Sequence, residues 1–588
     1  MSGLSDDRGP FDRASRNTHN ACIDLIDSNP LMTSAALFFD PDGYLLTGPK
    51  LMGRQAAGHG LLRAVAEAHR GDSLSVYAQT IESARLFARL VKDFEPALGE
   101  IHWIPLDQVE KLTALGTLYF PGPGLGDPAR LRLRAGVAAY SLTGVTHTVA
   151  SHTAMDNIVD LIEAPLMPWD ALICTSNAVG ASVRQLLESQ IEYLRWRFGE
   201  TLPCTVPQLP VIPLGVHSQD FVFSAGDRQA ARQFFGLAAD DVVVLFVGRL
   251  SFHAKAHPHP MYRGLQAAAE RSGRNIVLIQ SGWFANAAIE QAFRDGARQF
   301  CPAVRMLFTD GKVAEARTRS WAAADLFLSL ADNIQETFGL TPIEAMAAGL
   351  PVIVSDWDGY RDTVREGIDG FRIPTWMPPP DLGAAYARAY EAGIDNYDFY
   401  CGLNCQTISV DEAVLVDRLQ QLVTNPELRQ RLGHSARQRA REQYDWSVVY
   451  RQYQSVWAEL GRIRQAALTD EALQRQIKQA PAVAPARQDP YRTFLHYPTH
   501  RLQTHTRIYR RPERAGAAYP ELLNHGFYNY AGKILPRPEV AARLLGLCEA
   551  EPGISLDALA RQAGYDPGQT ALALSSLAKM GLIRLAAP

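Results

Sequence analysis

Two acidic residues, Glu336 and Glu344, are the strongest candidates for chemistry in this chain. Gly339 stands between them and interrupts the backbone, so we expect Glu336 in a loop and Glu344 in the first turn of a short helix. Carboxylates accept hydrogen bonds from hydroxyl groups, and helix N-termini hold anions. The spacing therefore predicts a ligand with sugar hydroxyls at one end and phosphate at the other.

Apolar segments at residues 325–330 and 351–355 flank this stretch and must position it. A strand, a short helix and a second buried strand predict a parallel pair with a right-handed crossover. Ligands of such sheets bind beyond the carboxyl ends of the strands. The loop at residues 331–340 is expected there.

A structural interpretation of Glu344 competes with this one. Thr341 to Glu344 fits a capping box, with Thr341 as N-cap, Pro342 at the first helical position and Glu344 reaching back. Capping explains neither Glu336 nor the pair Phe338 and Gly339, so we favour a functional role.

Residues 336–351 resemble the E-x7-E signature of the family 4 retaining glycosyltransferases with the GT-B fold. Residues 356–370 resemble the turn and D-G-x-x-G loop that follow in that family. Residues 246–250, with Lys255 beyond them, resemble its strand-end Arg/Lys pair, and residues 211–216 resemble its interdomain strand. The resemblance spans about residues 34–460.

The resemblance assigns roles to the acidic stretch. It implies that Glu344 accepts from ribose hydroxyls and that Glu336 contacts hydroxyls of the donor sugar. The amides of Phe338, Gly339 and Leu340 would complete the cradle.

Arg249 and Lys255 are the predicted partners of the donor diphosphate. Arg249 follows Gly248 at a strand end and offers a planar donor fork, while Lys255 offers a mobile ammonium. Together they can neutralise a diphosphate without a metal. No D-x-D metal motif of the other major glycosyltransferase fold stands out, since the string Asp356, Trp357, Asp358 follows the nucleotide-binding strand instead. We therefore predict metal independence and no cofactor beyond the nucleotide-sugar donor as co-substrate.

Two residues of the first half complete the candidate site. Gly53 lies in a glycine-containing loop at residues 48–58, ahead of a helix from about Ala56, and resembles the family's glycine loop. His147 resembles the family histidine that faces donor or acceptor, although His152 is an alternative counterpart.

Apolar segments alternate with helical patterns in two series, which indicates an α/β protein with two Rossmann-like doubly wound domains facing a cleft. The predicted strands of the first series are residues 35–40, 74–77, 101–105, 117–120, 138–142, 171–175 and 210–213. Those of the second are residues 242–247, 276–280, 304–308, 326–330 and 352–355. A helix pattern at residues 411–460 resembles the family's C-terminal helices, the last of which packs back across the first domain.

These observations predict four regions. They are an acceptor-side domain (1–215), a nucleotide-sugar domain with crossover helices (216–464), a linker with a basic, aromatic arm (465–536) and a winged-helix-like module (537–588). Residues 374–410 are interpreted as an insertion near the cleft. The arm contains seven arginines within residues 487–514, and we favour its docking on the enzyme's own acidic body.

The module is predicted to contain helices at residues 538–548, 555–563 and 567–580 and a strand at 582–585. The third helix carries Lys579 as its only charge, so DNA reading is disfavoured. Peptide or protein recognition, or homo-oligomer formation, fits it better.

Composition excludes several classes of protein. A net charge of −4 over 588 residues gives no basic field for bulk nucleic acid, and no stretch approaches 18 apolar residues. Seven scattered cysteines fit a reducing cytoplasm. Peripheral membrane contact stays open.

The sequence therefore predicts a hexosyltransferase that uses a UDP-sugar by default. A glycan, small molecule, peptide or protein is open as acceptor. The alternatives are a sugar-nucleotide 2-epimerase and a glycosyltransferase-like scaffold that binds a peptide, protein or nucleic acid through its C-terminal module.

Overall fold

The computed structural model describes residues 35–46, 53–199, 204–511 and 519–587. The chain divides into two compact units, Met1–Ala484 and Pro485–Pro588, which are described separately. The first unit contains two six-stranded parallel sheets.

The first sheet has the strand order β3-β2-β1-β4-β5-β6. Its strands are β1 Ala36–Phe38, β2 Leu74–Ala78, β3 Ile101–Pro105, β4 Thr117–Tyr119, β5 Ser141–Val145 and β6 Ala171–Ile173. Helices Gly53–Ala68, Ile81–Phe94, Gly126–Arg132, His152–Glu163 and Asn177–Phe198 accompany it.

The second sheet has the strand order β12-β11-β10-β7-β8-β9. Its strands are β7 Val242–Val247, β8 Ile276–Gly282, β9 Arg305–Asp310, β10 Leu326–Ser329, β11 Val352–Ser355 and β12 Gly370–Ile373. Its helices are Ala225–Phe234, Pro258–Ser272, Ala287–Phe300, Ala314–Ala323, Leu340–Ala347 and Tyr360–Thr363.

When the strands of each sheet are numbered from one along the chain, both sheets have the order 3-2-1-4-5-6. The direction of winding reverses between β1 and β4 in one sheet and between β7 and β10 in the other. Ligands of doubly wound sheets bind at the carboxyl ends of the strands at this switch point. The predicted α/β GT-B fold is confirmed.

Three predicted strand assignments need correction. The strand predicted at residues 138–142 lies at Ser141–Val145. Residues 210–213 make one isolated bridge, between Val211 and Cys174, rather than a strand, because Pro210 and Pro213 donate no amide hydrogen bond. Strand β12 was missed because Gly370 looked like a turn residue. A Cβ at Gly370 would lie 1.9 Å from the carbonyl oxygen of Val352, so the two strands pair only with glycine there.

Four helices follow the second sheet: Glu412–Thr424, Pro426–Arg439, Trp446–Ala467 and Glu471–Gln479. The helix Trp446–Ala467 packs into the core of the first domain. On it, Trp457 Nε1 donates to Thr143 Oγ1 at 3.1 Å, and the Tyr450 hydroxyl lies 2.9 Å from His69 Nε2. The predicted return of this helix across the first domain is confirmed.

The segment predicted as an insertion forms a small subdomain. Strands β13 Thr375–Trp376 and β14 Ser409–Val410 pair antiparallel at its base. Helices Ala384–Glu391 and Tyr397–Cys405 lie between them.

The second unit has its own hydrophobic core. Strands β15 Arg507–Arg510, β16 Ile554–Ser555 and β17 Ile583–Ala586 form an antiparallel sheet in the order β16-β15-β17. Its helices are Pro490–Thr493, Tyr519–Leu523, Gly526–Asn529, Pro538–Ala550, Leu556–Ala563 and Pro567–Lys579. The central strand β15 lies in the segment interpreted as an arm, where Ile508 is buried between Arg507 and Tyr509. The winged-helix resemblance stays a prediction.

Candidate active site

The candidate residues of the second domain come together at its switch point. Strand β7 ends at Val247 and is followed by Gly248 and Arg249. Strand β10 ends at Ser329 and is followed by the loop that carries Glu336. Because β7 and β10 are parallel neighbours, both loops leave the same edge of the sheet.

Lys255 and Glu336 form an ion pair in this crevice. Their side chains are only 18% and 13% exposed. Burial disfavours the charge on Lys255, but the Glu336 carboxylate outweighs it and raises the lysine pKa to about 12. Burial also works against the charge on Glu336, and Lys255 overcomes it and lowers the Glu336 pKa. The structure therefore holds both groups in their charged forms.

Arg249 contacts both loops. Its Nη2 donates to the carbonyl oxygen of Ala254 at 3.0 Å and to the side-chain oxygen of Gln335. Gly248 just before it has a φ of +152°, and a Cβ there would lie 3.4 Å from Lys255 Cε. The charge of Arg249 also opposes that of Lys255, so the two cations lie close together.

Glu344 lies on helix Leu340–Ala347, which begins with Gly339 as N-cap and has no side-chain cap. The capping-box interpretation is therefore wrong, and the Thr341 hydroxyl is buried without a hydrogen-bond partner. Glu344 is the fifth helical residue, just past the first turn in which it was predicted. Burial raises its pKa to about 7, against the opposing charges of Arg317 and Lys255.

The turn between the two acids is tightly packed. Gly339 has a φ of +82°, and a Cβ there would lie 2.1 Å from Tyr360 Cε1. Phe338 is 1% exposed and packs against Tyr444. The side chain of Phe338 is thus part of the core, so Phe338 can offer a ligand only its backbone. The amides of residues 338–340 precede the first internal hydrogen bond of the helix.

Sequence reasoning gave no role to Asp358, which lies beside this turn. Its φ is +45°, and its Oδ2 is buried without a hydrogen-bond partner. Ser176 of the first domain donates to the carbonyl oxygen of Thr337 at 2.8 Å and lies 3.4 Å from Asp358 Oδ1. Burial, reinforced by the negative charge of Glu336, raises the Asp358 pKa to about 8. The only signal in the sequence was an aspartate where a tight turn before Gly359 was expected.

His147 and Gly53 lie in the first domain and do not contact the Lys255–Glu336 pair in the part of the chain that the structure describes. His147 Nε2 lies 3.2 Å from the carbonyl oxygen of Pro121, and burial lowers its pKa to about 4. His147 is thus neutral and can donate to that oxygen. Gly53 is not in a loop ahead of the helix, because the helix Gly53–Ala68 already includes it. Residues 48–52 of the predicted loop lie outside the described residues.

His152, the alternative to His147, has a different environment. Its ring stacks on Tyr390 of the insertion, with ring centroids 3.6 Å apart. The predicted insertion near the cleft therefore reaches the first domain.

A cavity of about 590 Å³ lies away from this crevice. It opens beside Val242 at the start of β7, at the opposite edge of the sheet. Arg228, Arg232 and Arg429 line it, but Arg228 and Arg232 both pair with Asp325.

Comparison with known proteins bears on the second domain. Residues 227–389 match the family model of glycosyl transferases group 1. This range contains Gly248, Arg249, Lys255, Glu336 and Glu344.

The curated relatives that match this chain are also named as glycosyltransferases. A D-inositol 3-phosphate glycosyltransferase of Mycobacteroides abscessus is 36% identical over 155 residues, 26% of this chain and 33% of the relative. That of Nocardia farcinica is 30% identical over 169 residues, 28% of this chain and 36% of the relative. The chain thus spans about a third of the length of these relatives.

Among solved structures, Anabaena HepE in complex with UDP-glucose matches with 17% identity and a TM-score of 0.44. The match covers 72% of this chain and 99% of HepE. No described helix of the chain is long and apolar enough to cross a membrane.

Proposed function

We propose that this protein is a retaining glycosyltransferase that moves a hexose from a nucleotide-diphosphate sugar to a hydroxyl acceptor without a metal ion. We take UDP as the default nucleoside diphosphate of the donor. The observation that carries the proposal is the buried Lys255–Glu336 pair beside Arg249, at the switch point of a group 1 glycosyltransferase domain. The curated relatives support glycosyl transfer as the reaction.

Departure of the diphosphate is the demanding part of the reaction, because negative charge collects on it as the bond to the sugar loosens. Cations fixed where that charge develops stabilise the transition state. Arg249 would bind the diphosphate through its planar guanidinium and Lys255 through its ammonium. Two cations can balance this charge, which supports a metal-independent reaction.

The two glutamates have separate proposed roles. Glu336 would accept hydrogen bonds from hydroxyls of the donor sugar, and Glu344 from those of the ribose. In the free protein, the Glu336 carboxylate balances the charge of Lys255. When the donor binds, Glu336 also bonds to the sugar, so the diphosphate takes over part of this balancing role. Burial raises the pKa of Glu344 to about 7 and so favours its neutral form more than in an exposed glutamate.

A thermal-shift screen of nucleotide sugars identifies the donor, because a ligand that binds only the folded state raises the melting temperature. Donor turnover is then measured with EDTA present in the wild type, Lys255→Ala, Glu336→Ala and the exposed-charge control Lys478→Ala. We expect a loss of about 100-fold or more in the first two variants and none in the control.

Unchanged turnover in Lys255→Ala and Glu336→Ala would remove the site assignment. Activity that requires an added metal would remove metal independence. Incubation of the donor alone tests the 2-epimerase alternative, for which an epimer must appear without any acceptor.

A further inference from the structure

The insertion carries a cluster of tyrosines that faces the first domain. Within its two helices, the rings of Tyr390 and Tyr400 stack with centroids 4.7 Å apart, and Tyr397 lies 6.2 Å from Tyr390. Tyr397 and Tyr390 are only partly exposed. We call this segment, residues 374–410, the tyrosine insertion.

The tyrosine insertion binds the first domain at two points. The Tyr397 hydroxyl lies 3.1 Å from Thr148 Oγ1, and the Tyr390 hydroxyl accepts from the amide of His152 at 3.3 Å. His152 is the first residue of helix His152–Glu163, and Thr148 lies just before this helix. These contacts form only when the two domains are close.

Tyr397 also reaches the proposed diphosphate site. The Tyr397 hydroxyl lies against the side chain of Gln335, and the side-chain oxygen of Gln335 accepts from Arg249. One chain of polar contacts thus runs from Thr148 through Tyr397 and Gln335 to Arg249.

The base of the tyrosine insertion is fixed to the second domain. Cys405 Sγ donates to Asp332 at 3.1 Å and contacts the carbonyl oxygen of Phe252 at 3.4 Å. A Cβ at Gly402 would lie 3.0 Å from His253 Cβ, so this helix packs closely on the loop that leads to Lys255. The insertion therefore belongs to the second domain, and Thr148 meets it from the opposite side of the cleft.

We propose that Tyr397 is a positioning residue that orients Gln335, and through it Arg249, for the donor diphosphate when Thr148 of the first domain closes on it. The inference rests on the proposed function, because it takes the diphosphate as the ligand of Arg249. Closure of the cleft and binding of the diphosphate by Arg249 then occur together.

Affinities for UDP, GDP and ADP, and for the matching monophosphates, are measured by calorimetry in the wild type and four variants. Tyr397→Phe removes one hydroxyl of the chain and Thr148→Val the other, whereas Thr148→Ser keeps it. Tyr400→Phe, on the same helix as Tyr397, is the matched control. A lost hydrogen bond of this kind weakens binding about fivefold.

We expect Tyr397→Phe and Thr148→Val each to weaken the best nucleoside diphosphate about fivefold, with monophosphate affinity within about twofold. Their double variant should bind about as well as either single variant, because both break one chain. Thr148→Ser and Tyr400→Phe should resemble the wild type.

Equal diphosphate affinity in the wild type and Tyr397→Phe would overturn the inference alone. An equal loss for monophosphate and diphosphate would overturn it too, since that result indicates general damage to the site. A wild type that binds none of the diphosphates would overturn the proposed function and this inference with it.

Discussion

Lys255 and Glu336 depend on each other before any ligand binds. Both side chains are largely buried, and a buried charge that loses its partner is costly. Glu336 has a lowered pKa, so its stabilisation is present above the usual range of a glutamate and is lost on acidification. Lys255 has a raised pKa, so its contribution is lost only as the pH rises through about 12. The pair is therefore intact throughout the neutral range.

Glu336→Gln should lower the free energy of unfolding at pH 7 by roughly 3 kcal/mol, because Lys255 stays buried without a counter-charge. Urea denaturation measures the change. The double variant Glu336→Gln, Lys255→Met should recover most of it, since no unpaired charge remains. A double variant that is less stable than Glu336→Gln would contradict this explanation.

Asp358 is expected to make stability depend on pH. Its pKa is raised from 3.8 to about 8, so the neutral form is favoured in the fold. The associated stability is fully present below the ordinary aspartate pKa and is lost as the pH rises to about 8. Asn tolerates the positive φ of this position and has no charge.

The free energy of unfolding of Asp358→Asn relative to the wild type should therefore rise between pH 4.5 and pH 8, by about 4 kcal/mol. Urea denaturation at both pH values tests this. Glu344 is present in both proteins, so its titration cancels in the comparison. A difference that does not grow with pH would show that Asp358 stays ionised in the fold.

At the scale of elements, the unit from β10 through helix Leu340–Ala347 to β11 was predictable from sequence. Its apolar strands and the glycine between two acids specify where the loop must lie. The helix start was not predictable, because Thr341 and Pro342 form a sound local capping pattern. Packing of Gly339 against Tyr360, a contact between distant residues, decides the start instead.

Gly339→Ala should lower the free energy of unfolding by about 2 kcal/mol, because it combines a positive φ with a Cβ 2.1 Å from Tyr360 Cε1. Gly461→Ala, inside helix Trp446–Ala467 with open space around its Cβ, is the opposite control and should raise it by about 0.5–1 kcal/mol. Thermal and urea denaturation measure both. Equal effects of the two substitutions would contradict the assigned role of Gly339.

The tyrosine insertion shows what sequence reasoning could not reach. Its presence near the cleft was predicted from its prolines and aromatic residues. The contacts of Tyr397 with Thr148 and Gln335 join residues far apart in the sequence, and no local pattern encodes them. Strand β15 was missed because arginines hide its alternation around Ile508.

At the scale of the whole molecule, the two units have separate cores. Residues Met1–Ala484 contain both sheets and the crossover helices, and Pro485–Pro588 enclose a core around Ile508 and Leu559. The candidate active site lies entirely in the first unit. The donor site should therefore not need the second unit.

A protein that ends at Ala484 should fold and bind the donor nucleotide within about twofold of the full chain, because no proposed ligand of the donor is removed. Circular dichroism and calorimetry check both points. Transfer to the acceptor is compared in parallel, so that a loss of transfer with unchanged donor binding would assign the second unit to acceptor recognition. Loss of donor binding itself would contradict the proposed location of the site.

The most direct measurement is a crystal structure of the full chain with the nucleoside diphosphate that the screen selects. We predict the diphosphate within hydrogen-bonding distance of Arg249 and Lys255, with its oxygens facing the amides of residues 338–340 and the ribose beside Glu344. A diphosphate bound elsewhere, for instance among Arg228, Arg232 and Arg429 at the opposite edge of the sheet, would contradict the account.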